Sequence, residues 1–331
     1  MTDGVVIGVD LGGTRIRAAR CDQNLTILER TETLTQAHEG LDATLNRIRN
    51  LIDEVIPDDD TPVSGIGISA PGPLNPETGV VVAPPNLPGW HNVPLGDHLH
   101  SAFDVPIFVG NDANVAALAE TLRGAAVGAK NVIYITVSTG IGGGVITDGH
   151  LLLGDVGLAA EIGHMQMVVN DKVTSLELEA AGPALARKLR NKLETTKSAS
   201  EELRTIIKTN GGEIDGKVVG QAAIAGDAVA LEIVRGAARI LGLGIVNLLH
   251  VFNPSVVVIG GGVANGLGSV LLDPTWETIR NHALDRAYWE NLEIAPAKLG
   301  EDVSIYGAAA LVVTGGGVKK MSEVMARFEQ R

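Results

Sequence analysis

Among its 331 residues the chain has a single cysteine, Cys21. One thiol can build neither an intrachain disulfide nor a multi-thiolate zinc site, so Cys21 is expected to be a small core residue. Basic residues are also in deficit, with 26 Lys and Arg against 39 Asp and Glu and a formal charge of −13. A nucleic-acid surface needs clustered cations to displace counterions from phosphate, and this balance argues against one. An anionic small molecule can still bind, because backbone N–H groups and a metal ion supply local positive potential. No apolar run reaches the roughly 18 residues of a membrane span. The start, Met1-Thr2-Asp3-Gly4-Val5, lacks the basic and long apolar segments of a leader. A cytoplasmic protein with no membrane partner is expected.

Glycine, by contrast, is plentiful: 41 residues, well above the usual ~7%. It falls in short clusters between apolar runs, as backbone devices do. The chain length exceeds what one core usually serves, so two domains with a cleft between them are expected.

Val5 to Asp10 and Ile16 to Arg20 are apolar runs around Gly12-Gly13, the pattern of a tight hairpin, and Leu25 to Glu29 fits a third strand. Leu41, Leu45, Ile48, Leu51, Ile52 and Val55 recur at helical spacing, and Val63 to Ser69 reads as a parallel-type strand. Residues 70–94 hold seven prolines, each removing a backbone donor, which predicts a long ordered loop. A helix over Ala113 to Leu122 precedes a second hairpin, Asn131 to Val137 and Gly143 to Thr147, around another glycine turn. Two such units far apart in the chain point to an internally duplicated architecture. Helices are expected over Glu177 to Leu193, Ser200 to Lys208, Ala228 to His250, and around Ile305 to Val313 and Lys319 to Gln330. Ser255 to Ile259 reads as a buried strand ending in Gly260-Gly261-Gly262.

The chemistry concentrates at Gly110-Asn111-Asp112-Ala113-Asn114, where a carboxylate between two carboxamides follows the apolar run Val105 to Val109. Asp10-Leu11-Gly12-Gly13-Thr14 precedes it and Ser138-Thr139-Gly140-Ile141-Gly142-Gly143-Gly144 follows it, each a glycine-rich turn after a strand pattern. A candidate base flanked by two phosphate-cradling turns suggests phosphoryl transfer. On its own Asp112 could equally cap the helix beginning near Ala113, and Trp90 in the proline-rich segment reads as a packing anchor.

These stretches, with Ala70-Pro71-Gly72-Pro73, Pro85-Asn86-Leu87, Trp90, Glu161-Ile162-Gly163-His164 and Gly260-Gly261-Gly262, occur in the order found in the ROK family of sugar kinases and sugar-responsive repressors, which the chain resembles essentially end to end. The resemblance implies an α/β fold of two actin-like (ribonuclease H-like) domains with mixed sheets flanked by helices. Residues 1–115 with 305–331 would form the first domain and 116–304 the second. It implies an ATP-dependent hexose kinase, glucokinase being the commonest activity, with Asp112 as general base. Asn86, Asn111, Asp112, Glu161, His164 and Glu177 would hold sugar hydroxyls, with Glu179 the competitor of Glu177. Gly12, Gly13, Thr14, Thr139, Gly140 and Gly142 would cradle phosphates, Gly260, Gly261 and Gly262 would border adenosine, and Asp10 would hold Mg²⁺ through water.

One departure from the family is instructive. Many members follow Glu-x-Gly-His with a three-cysteine loop that binds zinc together with that histidine. Here Met165 to Leu176 contains no cysteine, so no structural zinc is expected, and a buried His164 would need another partner. Ala160 stands where glycine is frequent. Repressors of the family carry a helix-turn-helix domain ahead of the first phosphate turn, and with Asp10 near the start a repressor is not expected. Other hexoses or N-acetylhexosamines, polyphosphate as donor, and a non-catalytic sugar sensor stay open, and the family's usual homodimer is expected.

Overall fold

The computed structural model describes residues 4–196 and 199–329. The expectations at Met1 to Asp3 and at Gln330 lie outside the described residues. In chain order the first part runs β1 (Val5–Leu11), β2 (Arg15–Cys21), β3 (Ile27–Leu34), α1 (Leu41–Val55), β4 (Val63–Ala70), the short strands β5 (Leu74–Asn75), β6 (Val80–Val81) and β7 (Val93–Pro94), α2 (Leu95–Phe103), β8 (Ile107–Asn111) and α3 (Asp112–Arg123). Next come β9 (Val132–Val137), β10 (Ile141–Thr147), β11 (His150–Leu151), the pair β12 (Gln166–Val169) and β13 (Lys172–Ser175), and the helices α4 (Leu176–Ala180), α5 (Gly182–Thr196), α6 (Glu201–Thr209), α7 (Gly216–Ile224) and α8 (Ala228–Phe252). The chain closes with β14 (Val256–Gly260), α9 (Gly262–Leu267), α10 (Ser269–His282), β15 (Glu293–Pro296), α11 (Val303–Thr314) and α12 (Met321–Glu329).

Two compact units divide the chain. The first comprises Met1–Tyr134, Gly144–Ala160 and Lys298–Arg331, and the second Ile135–Gly143 and Glu161–Ala297. One sheet has the order β3-β2-β1-β4-β8 and another β11-β10-β9-β14-β15. Numbered by appearance within each sheet, both read 3-2-1-4-5, so the duplication expected from the two glycine turns is visible as one topology used twice.

In the first sheet β1 is antiparallel to β2, β2 is antiparallel to β3, and β1, β4 and β8 run parallel. Parallel strands must be covered on both faces. On one face Ile7 and Val9 pack with Ile66 and Ile68 beneath Ile48 and Ile52 of α1. Alternation puts Gly8 and Gly67, which are register partners, on the other. A Cβ on Gly8 would lie 2.7 Å from Ile305 O and one on Gly67 1.8 Å from Ala308 O, so α11 lies directly on the strand backbones there.

Cys21 is fully buried at the end of β2, as expected of a core residue. Burial, with Asp22 adding to it, pushes its thiol up to about 12. A disulfide reagent at pH 8 therefore titrates no thiol in the native protein and one per chain in guanidinium; fast labelling of the native protein would contradict this packing.

Several expectations are corrected. The third strand is Ile27–Leu34, because Leu25 turns the chain at φ 61°. Residues 70–94 are not wholly irregular: β5, β6 and β7 form a small antiparallel sheet. The single helix expected from Glu177 is two, α4 and α5, broken at Ala181 in extended conformation. Among the described residues no helix is long and apolar enough to cross a membrane.

Candidate active site

The parallel strands of the first sheet end in register. Asp10 of β1 lies opposite Ser69 of β4 and Ser69 opposite Gly110 of β8, with Ala70 opposite Asn111 one residue on. The polar residues therefore collect at the carboxyl ends of parallel strands, where open α/β sheets bind ligands. Ser69 is buried, and its Oγ has no hydrogen-bond partner among the described residues.

Across the first hairpin Asp10 faces Arg17. Its Oδ2 accepts from Arg17 Nη2 at 2.6 Å and from Nε at 3.0 Å. Burial pushes the Asp10 carboxyl up from its ordinary value, while Arg17 and a hydrogen bond from Ser304 pull it back. Arg17 and Arg30 also share Asp302, at 4.0 and 3.5 Å. Among the described residues no group of three or more His, Cys, Asp or Glu could hold a metal ion. Asp10, already paired with Arg17, could serve only an ion that keeps most of its own waters, not one caged by protein.

The turn after β1 is held by buried Thr35. Its N–H donates to Thr14 O at 2.8 Å and its Oγ1 to Gly12 O at 2.6 Å, and Gly12 N–H closes the turn on Arg15 O at 3.0 Å. A Cβ on Gly13 would lie 2.9 Å from Asn86 Cβ, so the glycine is what lets the turn pack against exposed Asn86. Asn86 is carried on a loop anchored by Leu87 and by Trp90, which is 2% exposed. Trp90 is thus the packing anchor its setting suggests, and His91 beside it is exposed.

At the start of α3 the capping falls to Asn111. Its Oδ1 accepts from Ala113 N and Asn114 N, both at 3.0 Å. Asp112 is the first helical residue; it is exposed, with Oδ1 accepting from Ala113 N at 2.8 Å. The helix N-cap is therefore provided by the neighbouring carboxamide, and a carboxylate is presented at the strand end.

In the second unit the turn between β9 and β10 is Ser138-Thr139-Gly140, closed by Ser138 N–H on Gly140 O at 2.8 Å, while Gly142 lies within β10. Gly182 N–H donates to Ser138 O at 2.8 Å. Glu177 Oε2 accepts from Ile141 N at 2.8 Å. Its competitor Glu179 is engaged elsewhere, ion-paired to Lys188 at 2.7 Å and accepting from Thr174 Oγ1 at 3.1 Å. Glu177 is the one that reaches the end of the turn between β9 and β10.

Glu161 precedes and His164 ends a 3₁₀ turn, Ile162–His164, pressed onto β10: a Cβ on Gly163 would lie 2.0 Å from Ile141 O, and one on Gly143 2.2 Å from Ile162 Cδ1. Ala160 precedes them at φ 63°, a left-handed conformation that explains the family's preference for glycine there. His164 is exposed, so the condition under which it would need a partner in place of a metal, burial, is not met, and water can serve the ring. Where other members place the cysteine loop, β12 and β13 pair around Asn170-Asp171, both at positive φ. That is a two-residue turn of the type whose twist suits a hairpin.

Gly260 ends β14, and Gly261, at φ 92°, lies so close to the second turn that a Cβ would be 2.5 Å from Val137 O. Beside Ser138, Thr139 and Gly262 opens a cavity of about 740 Å³. Ala186, Ile214, Ile224 and Leu267 make its walls apolar, and Arg190, Asp215, Lys217 and Gln221 add polar groups. Size and lining are those of a small-molecule site. The sequence had pointed to the glycines but not to the α5 and α7 side chains across from them, which carry no motif.

Two helix-flanked sheets of one strand order define an actin-like α/β protein. The ROK family matches residues 6–315, and the chain belongs to that family. It is 34% identical to a glucokinase of Thermotoga maritima over 313 residues, 93% of this chain and 96% of the relative. The solved structure of a ROK family glucokinase from Streptomyces griseus in complex with glucose and AMPPNP is 32% identical with a TM-score of 0.74, covering 93% of this chain and 99% of that one. A xylose repressor of Caldicellulosiruptor bescii is 30% identical over 94% of this chain and 78% of its own length.

Proposed function

We propose that this protein is a sugar kinase that transfers the terminal phosphoryl group of ATP to a hexose hydroxyl, with glucose as first substrate and glucose 6-phosphate as product. The observation that carries the proposal is the division of labour at the head of α3, where Asn111 caps the helix and Asp112 is exposed at the sheet's carboxyl edge. Asp112 orients the sugar hydroxyl and accepts its proton as the new O–P bond forms and the bond to the ADP leaving oxygen breaks. Asn86, Asn111, Glu161, His164 and Glu177 hold the other hydroxyls, a mixture of amide, imidazole and carboxylate that both donates and accepts. Gly13, Thr14, Thr139 and Gly140 offer backbone N–H groups to phosphate, and Gly12, whose own N–H closes the first turn on Arg15 O, lets that turn approach it. The cavity beside Gly262 takes the nucleoside, which favours ATP over polyphosphate. Asp10 would hold Mg²⁺ through water. When bound, that ion neutralises charge on the transferring phosphates.

A coupled ADP-release assay with ATP and Mg²⁺ against a panel of hexoses and N-acetylhexosamines tests this. Turnover with one sugar, lost in Asp112→Asn, is the expected result and names the substrate. The xylose repressor relative supports a second reading, a sugar sensor without chemistry. Calorimetric sugar binding with no turnover on any sugar would favour it.

A further inference from the structure

We infer that Glu177 is a positioning residue for the phosphate donor, and that Gly140 is glycine because the Glu177 carboxylate occupies the space where its side chain would stand. The inference rests on the phosphotransfer reading and adds to it a coupling between a sugar-binding carboxylate and the turn that cradles phosphate.

Glycine in such a turn is ordinarily explained by positive φ or by close approach of ligand. Gly140 is not among the residues at positive φ. A Cβ built there would instead lie 2.6 Å from Glu177 Oε2, a separation that forces the carboxylate to move. The same oxygen accepts from Ile141 N at 2.8 Å, one residue beyond the turn. Glu177 itself is fixed on α4, whose N-cap Ser175 accepts from Leu178 N at 3.3 Å. At the helix's end Ala181 N–H returns to Glu177 O at 3.0 Å, and Gly182 N–H, the next donor, bonds Ser138 O at 2.8 Å. The turn is thus held from both sides, by a backbone bond from Gly182 at the start of α5 to Ser138 and by the Glu177 carboxylate of α4 at Ile141. A half-buried carboxylate bonded to a backbone amide is a strong, directional anchor. With Oε2 given to the turn, Oε1 is the oxygen left for a sugar hydroxyl.

The test measures binding of AMPPNP by calorimetry in the absence of sugar, then nucleotide KM and kcat at saturating sugar. Glu177→Ala is expected to weaken AMPPNP binding about tenfold or more, the scale of a hydrogen bond to a charged group. Gly140→Ala, which leaves Glu177 in place but displaces its carboxylate, is expected to reproduce that loss. The double variant should be no worse than either single one, because both break the same contact. Glu177→Gln keeps an acceptor oxygen and should restore nucleotide affinity to within about threefold while sugar affinity stays reduced. Unchanged AMPPNP affinity in both single variants, or strictly additive losses in the double one, would overturn the inference. Wild-type protein that binds no AMPPNP would overturn the phosphotransfer reading itself. If Glu177→Ala melts early, Glu177→Asp, whose shorter side chain draws the carboxylate back from Ile141 N without adding an atom to the turn, is expected to show the same loss of AMPPNP affinity, and an unchanged affinity there would overturn the inference.

Discussion

Asp112→Asn is expected to lower kcat by about 10²–10⁴-fold while leaving sugar affinity within a few-fold of wild type. The range is the usual contribution of a positioned base. The variant tests the proton-accepting role while two local features are kept. An amide oxygen at 112 can still accept from Ala113 N, as Asp112 Oδ1 does, and the helix keeps its cap, which belongs to Asn111. A carboxamide can still orient a hydroxyl by accepting its hydrogen bond, but it cannot take the proton. The loss should therefore fall on kcat and on kcat/KM alike, the signature of an interaction made in the transition state. Turnover within about tenfold of wild type would remove Asp112 as base. Loss of sugar binding together with turnover would make it a substrate anchor instead.

Much of this was legible in the sequence, and the parts that were not share physical causes. The hairpin over β1 and β2, the helices α1, α3 and α8 and the strand β14 announce themselves through apolar runs or apolar residues at helical spacing, because their buried positions are filled mostly by aliphatic side chains. The elements that escaped lack that signal. Strands β5, β6 and β7 are two residues long and cannot show a period. Helix α10 carries Pro274 in its interior, and α7 opens on Gly216 and buries small residues such as Ala222 and Ala223. The β12 and β13 hairpin exposes Val168 and Val173 as register partners, 74% and 73% accessible, so its alternation does not separate core from solvent. At the site, motif order located the strand ends and turns, but roles within a motif depend on three-dimensional partners. Adjacent Asn111 and Asp112 divide capping and exposure between them, and only coordinates assign which does which. Asp10 looked like a bare ligand carboxylate; its guanidinium partner comes from the facing strand, seven residues away.

Glu120 was wholly illegible, and its removal is expected to cost the most stability. Acidic residues in helices usually face water, yet Glu120 of α3 is fully buried. Its Oε2 accepts from Ala125 N at 2.7 Å, and its Oε1 from Lys298 N at 2.9 Å and Leu299 N at 3.0 Å. A Cβ on Gly124 would lie 1.9 Å from Oε2, so this glycine, like Gly140, leaves room for a carboxylate. The bonds tie the end of α3 to the segment where the first unit resumes at Lys298. Glu120→Ala strips three backbone donors of their acceptor and opens a cavity, for a loss of about 3–5 kcal/mol. Glu120→Gln is expected to fall between, since one carbonyl oxygen can serve Lys298 and Leu299 while the amide NH₂ turns a donor toward Ala125 N–H. Urea denaturation of the two variants measures the order. Amide exchange at Ala125, Lys298 and Leu299 should accelerate in Glu120→Ala ahead of the protein at large. A Glu120→Ala variant within about 1 kcal/mol of wild type would show that water replaces the carboxylate at no cost, contrary to its burial.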